Sequence, residues 1–147
     1  MTLENLLRIG KLKAHEATPA EIQRLLAAEE RNLADAAVTG ISDETRFDAA
    51  YKAVMQCALM AMMMHGFRPS SSELGHHATL IQSLPLTLGV KNEVWIVLDA
   101  LRRKRNANDY TGDIVTPDMV TECIAQARAL QARLKKALKA NHAGLLK

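Results

Sequence analysis

Four consecutive cations lead into amides, an acid and a phenol in the segment Arg102-Arg103-Lys104-Arg105-Asn106-Ala107-Asn108-Asp109-Tyr110. Guanidinium groups are permanently charged and present paired N–H donors, the geometry a phosphate accepts. A neighbouring carboxylate can hold such groups in place or take up a proton. On a helix at about 100° per residue, Val94, Leu98 and Leu101 mark a buried stripe, and Arg105 falls on it one turn further on. Arg102 and Asp109 share one flank of that stripe, with Asn106 one turn after Arg102, while Arg103 and Lys104 point to water. The spacing therefore predicts that Arg102, Arg105 and Asp109 converge at the core edge. An arginine on a core stripe needs a partner, and Asp109, four residues beyond Arg105, stands where side chains meet.

Two readings fit this group. In one, an Arg105–Asp109 ion pair finishes the helix and Tyr110 packs beneath it. In the other, the group is a polar pocket. Arg102, Arg103, Lys104, Arg105 and Tyr110 are then the candidates for contact with RNA or a nucleotide, and Arg102, Arg105, Asn106 and Asp109 the candidates for catalysis.

The elements that must position these residues are helical. Ala, Leu and Met dominate over aromatics, which make up 3% of the chain. Thr18-Pro19-Ala20-Glu21 is a capping box with proline at the first helical position, and Thr39-Gly40 ends the helix it starts, in which Ile22, Leu25, Leu26, Leu33 and Val38 are the main apolar residues. Ser42-Asp43-Glu44 opens a second helix that runs to His65-Gly66. A loop with three serines, from Phe67 to Ser72, leads to a shorter helix over roughly 73–84. Pro85 and Gly89 break the chain before a helix from Asn92 to Gly112. Thr116-Pro117-Asp118 caps the last one. No two-residue alternation is sustained. The expected fold is all-α: an up-and-down bundle of four long helices plus one or two short ones, without a sheet. Residues 1–147 form a single domain, with a short extra helix in 1–15 and a frayed tail at 141–147.

The second long helix changes character at Cys57-Ala58-Leu59-Met60-Ala61-Met62-Met63-Met64, which is apolar on every face. Such a helix must be covered all round, either by the short helix and the 67–75 loop or by a second chain. A homodimer contact through Met60, Met63 and Met64 is the favoured expectation. A copper site is the sharper alternative, but Met62, Met63 and Met64 fan around the helix instead of converging. Adjacent His76 and His77 share no helix face and read as turn and capping residues. His15, His65 and His142 are assigned no role. Cys57 and Cys123, inside apolar helical patterns, read as buried free thiols, with a disulfide between packed helices as the alternative. No metal or cofactor is expected. The net charge of +3 permits nucleic-acid contact without arguing for it. No leader and no membrane span are visible in the pattern, and a cytoplasmic location is expected.

The chain resembles the HEPN superfamily, small helical bundles of prokaryotic toxin–antitoxin and defence systems. The resemblance covers roughly residues 18–141. It rests on four long helices, on Arg46-Phe47-Asp48-Ala49-Ala50-Tyr51 in the second, on Gly75-His76-His77 opening the short helix, and on the Arg/Asn segment late in the third. It implies a dimer in which two copies of an arginine, followed four to six residues later by a histidine, form a metal-independent ribonuclease. Arg102 or Arg103 takes the arginine position, Asn106 that of a polar residue often found there, and Asp109 stands in place of the histidine. An imidazole gives and takes protons at neutral pH, whereas an ordinary aspartate is ionised and only accepts. The resemblance with that replacement implies a dimeric module that binds RNA, a nucleotide or a partner protein without strong catalysis. An active ribonuclease toxin and a purely structural interaction module are the alternatives. In some family members a tyrosine near the motif receives nucleotides from a partner nucleotidyltransferase, and Tyr110 stands close to that position.

Overall fold

A computed structural model describes residues 1–70 and 75–147. The chain is mostly helical. In order it forms α1 (Leu3–Arg8), β1 (Leu12–Ala14), α2 (Pro19–Ala36), α3 (Asp43–Met64), β2 (Phe67–Pro69), α4 (His76–Gln82), α5 (Leu84–Thr87), α6 (Asn92–Thr111), α7 (Pro117–Asn141) and a closing 3-10 turn (Ala143–Leu146). The expected loop through Ser72 and helix start at 73 fall partly outside the described residues; α4 is observed from His76.

The capping signals act as physical chemistry dictates. Thr18 Oγ1 accepts from the Glu21 amide at 3.2 Å, and the Glu21 carboxylate accepts from the Thr18 amide at 3.0 Å. Two otherwise orphaned amides are thereby satisfied, so Thr18→Ala is expected to lower stability by about 1 kcal/mol in a denaturant titration. An unchanged midpoint would show that the box contributes nothing. Ser42 caps α3 through the Thr45 amide at 3.2 Å. Gly66 and Gly112 end α3 and α6 with φ of 90° and 73°, conformations that L side chains avoid.

Helix α3 lies at the centre, packed by α2 on one side and α7 on another, with α4, α5, α6 and β2 against the remainder. This covering decides the methionine stretch. Met60, Met63 and Met64 are 0%, 2% and 7% exposed within the single chain. The expected dimer contact through them is therefore corrected: the chain's own elements bury these side chains, and no second copy is needed to keep them from water. Leu59 alone in the Cys57–Met64 run is only partly buried, and Gln56 beside it likewise.

Further expectations are corrected. A small sheet exists, because β1 and β2 pair antiparallel with Leu12 opposite Pro69 and Ala14 opposite Phe67. Pairing is carried on by the His15 amide to the Gly66 carbonyl at 2.8 Å. Strands of three residues are too short to show an alternation. The tail is not frayed: Ala143–Leu146 forms its turn against α2 and α7, and Leu145 and Leu146 pack on the core. Val38, read as one of the main apolar residues of the first long helix, lies beyond the end of α2 and is exposed. Cys57 and Cys123 are buried free thiols. No helix among the described residues is long and apolar enough to cross a membrane.

Candidate functional site

The face of α6 that carries the basic run meets the first half of α3 and the start of α4. Leu98 and Leu101 are buried in it, and so is Asp99. Asp99 organises the arginines that precede Arg105. Its Oδ1 accepts from Arg102 Nε at 2.9 Å, and its Oδ2 accepts from Arg103 Nη2 at 2.9 Å and Nε at 3.2 Å. Burial pushes the Asp99 carboxyl up, but these hydrogen bonds and the two cations outweigh it and hold the group below its ordinary value.

Arg105 is anchored differently. Its Nε donates to Asp48 Oδ1 on α3 at 3.1 Å, its Nη1 is 3.6 Å from Asp109 Oδ2, and its guanidinium lies 5.1 Å from the centre of the Tyr51 ring. Asp48 also pairs with Lys52 at 3.5 Å. Tyr51 is buried, and its hydroxyl shares a hydrogen bond of 3.2 Å with His77 Nδ1. Burial raises the Tyr51 phenol to about 12, against the pull of Arg105 and Arg102, so it stays neutral. Burial lowers the His77 pKa first, and the charges of His76, Arg105 and Arg102 lower it further. His77 is thus a neutral imidazole at pH 7, inside the field of both arginines.

The sequence-predicted group is brought together in part. The Arg105–Asp109 pair forms as expected. Arg102 does not join it; it turns to Asp99 instead. Arg103 is well exposed at 69% of its side chain yet is tied to the same carboxylate. Lys104 is exposed, and Asn106 is half-buried with no side-chain hydrogen bond among the described residues. Tyr110 does not pack beneath the ion pair, being 86% exposed. One helical repeat of seven residues from Arg103, it shares that residue's outward face.

Asp99, Asp48, Tyr51 and His77 were missed as members of this group. Asp99 stands three and four residues before Arg102 and Arg103, a local spacing that could have identified it. Asp48, Tyr51 and His77 come from other helices and carry no such signal. His77 is accordingly more than a turn residue.

The charges now divide unevenly. Arg105 faces two acids, Asp48 and Asp109, and the cleft of about 220 Å³ beside it adds a third, Glu44. Arg102, Arg103 and Lys104 share only Asp99. The positive surplus therefore lies at 102–104. Arg102 keeps both terminal nitrogens, and Lys104 its whole ammonium, without a hydrogen bond among the described residues. Among the described residues no cluster of three or more His, Cys, Asp or Glu is arranged to hold a metal ion. Compared with protein-family models, curated proteins and solved structures, the chain matches none.

Proposed function

We propose that the chain is a HEPN-like module, its four long helices α2, α3, α6 and α7 forming an up-and-down bundle, that binds single-stranded RNA along the outer face of α6. The observation that carries this reading is the charge surplus of Arg102, Arg103 and Lys104 over the single buried carboxylate of Asp99. Guanidiniums held at one end and open at the other are prepared for phosphate oxygens without losing much side-chain freedom on binding. Exposed Tyr110 offers a ring on which a base can stack. Arg105, neutralised by Asp48 and Asp109, positions the helix and does not contact RNA. The resemblance to HEPN proteins supports a toxin–antitoxin or defence setting for this activity, in which exposed Tyr110 is within reach of a partner nucleotidyltransferase. A dimer, implied by the same resemblance, would use a face other than Met60, Met63 and Met64. Ile96, Tyr110 and Ile114 are the large apolar side chains left exposed on α6 and the turn after it.

The test is a fluorescence titration with a labelled oligoribonucleotide at several salt concentrations. Lys104→Ala is expected to weaken binding severalfold and to reduce the logarithmic salt slope by about 0.7, and Tyr110→Ala to weaken it about tenfold. Arg105→Ala should change affinity little. Loss of binding in Arg105→Ala with none in Lys104→Ala would overturn the assignment.

A second reading, ribonuclease activity, is favoured by one observation: a neutral imidazole, His77, stands within the field of Arg102 and Arg105. A neutral imidazole can take a proton from the attacking hydroxyl and then give it to the leaving oxygen, and giving is the half that an ionised aspartate lacks. Metal-independent cleavage in EDTA that disappears in His77→Asn would establish it. Binding without cleavage leaves the first reading standing. Neither binding nor cleavage would leave a structural interaction module.

A further inference from the structure

The second half of α3 is covered on every side but one. Gln56 and Leu59 mark that side, and both line a groove running between α2, α3, β2 and α4. It consists of two adjoining hollows of about 240 and about 230 Å³ that share Leu59 and Arg68. The first has a floor of Met55, Leu59 and Leu80, closed at one side by the imidazoles of His76 and His77. Those rings stand edge to face, with centres 4.6 Å apart. Gln56 accepts from Asn32 through its Oε1 at 2.9 Å, so its amide N–H groups are left as donors. The second hollow brings Arg24 on α2 to the same place as Arg68 on β2.

Neither guanidinium makes an ion pair or a hydrogen bond among the described residues. Arg24 is exposed, where an unpaired cation is ordinary, but Arg68 is half-buried, and the other half-buried arginines, Arg46, Arg102 and Arg105, each have a carboxylate. Among the described residues the one acid in the groove, Glu21, is already engaged, by His15 Nε2 at 2.8 Å and by the Thr18 amide at 3.0 Å. The groove therefore joins a flat apolar slot, edged by ring and amide groups, to a pair of unneutralised cations.

We infer that this groove binds a heteroaromatic ring bearing a phosphate, a nucleoside monophosphate or the 5′-phosphorylated end of an RNA. The base lies over Leu59 and Leu80 beside His76, with the Gln56 amide donating to its edge. The phosphate sits between Arg68 and Arg24, which supply charge-assisted donors. An aliphatic anion would satisfy the floor and the arginines but offer nothing to the His76 ring or the Gln56 donors. The site stands apart from the RNA face of α6, sharing with the group around Arg105 only His77.

Calorimetric titration of the full chain with AMP, adenosine, octanoate, and oligoribonucleotides with and without a 5′-phosphate tests this. AMP is expected to bind about tenfold or more tightly than adenosine or octanoate. Arg68→Met should weaken AMP about tenfold, with Arg24→Met reproducing the loss more weakly. Both side chains reach solvent, so circular dichroism should show the fold unchanged. With the α6 face disabled by Lys104→Ala and Tyr110→Ala, a 5′-phosphorylated oligomer that exceeds AMP while the unphosphorylated one does not makes the source an RNA end; AMP exceeding both makes it a free nucleotide. No binding of AMP at millimolar concentration, equal binding of adenosine, tighter binding of octanoate, or full affinity in Arg68→Met overturns the inference. Lys104→Ala should leave AMP affinity untouched, which separates this site from the one on α6.

Discussion

Replacing Glu29 with Met is expected to stabilise the protein by about 3 kcal/mol at pH 8 and by much less at pH 5. Glu29 lies on α2 with its side chain wholly enclosed, and neither carboxyl oxygen has a hydrogen-bond partner among the described residues. Burial is the largest cause and raises its pKa to about 7, with Gln131, Lys135 and Cys57 opposing it and Glu30 adding to it. The two polar groups of α7 that could have served it serve Glu30 instead: Gln131 Nε2 and Lys135 Nζ both reach Glu30 Oε1, at 3.2 and 3.1 Å.

The sign follows from proton binding. In the unfolded chain the carboxyl loses its proton near 4.5; in the folded chain it keeps it until about 7. Across that interval the folded state binds the extra proton, so stability falls as pH rises. Below about 4.5 the penalty is absent, and above about 7 it is complete. Met is close to Glu in volume and removes both the charge and the unsatisfied oxygens. Thermal unfolding at pH 8 should shift upward by roughly 6–12 °C, and the wild-type decline between pH 5 and 7 should flatten. A variant that is no more stable at pH 8 than at pH 5, relative to wild type, would mean that Glu29 finds a partner or water in solution.

Asp99→Ala should act in the opposite direction, lowering stability by about 2 kcal/mol. The carboxylate is 6% exposed and receives three N–H donors from Arg102 and Arg103. Its removal strands Arg102, whose side chain is 20% exposed, at the rim of the core. Arg103, 69% exposed, is rehydrated easily. The loss should therefore reappear mainly in a double-mutant cycle with Arg102 and hardly at all in one with Arg103. Because the folded carboxyl is held below its ordinary value, this contribution is complete above pH about 4 and fades as pH falls further through the folded pKa. Equal coupling to the two arginines would show that burial does not decide the pair's strength.

How much of this was legible beforehand depended on the range of the interactions. Thr18, Ser42 and Thr116 start helices where their side chains reach amides three residues on, and Gly66 and Gly112 stop them; these are contacts within one turn. The Arg105–Asp109 pair is local for the same reason, and so are the pairs of Asp99 with Arg102 and Arg103, three and four residues on. Asp48 meets Arg105 across 57 positions, and Tyr51 meets His77 across 26. Their meeting depends on how α3, α4 and α6 pack, and no periodicity along the chain encodes that.

What the amino-acid order determined alone was the helical character, the boundaries of the four long helices, and a basic run late in α6. Those follow from propensity, capping and the 3.6-residue repeat, which act over a few residues. Only the tertiary structure decided which cations are neutralised. It gave Arg105 two acids and left Arg102, Arg103 and Lys104 with one among the described residues, taking Arg102 out of the expected converging group while Arg103 and Lys104 stay exposed. It also covered the methionines from within the chain and left Leu59 beside two arginines that have no ion pair among the described residues. Burial and long-range pairing are properties of packed surfaces, and a linear order states which side chains are available without stating which of them meet.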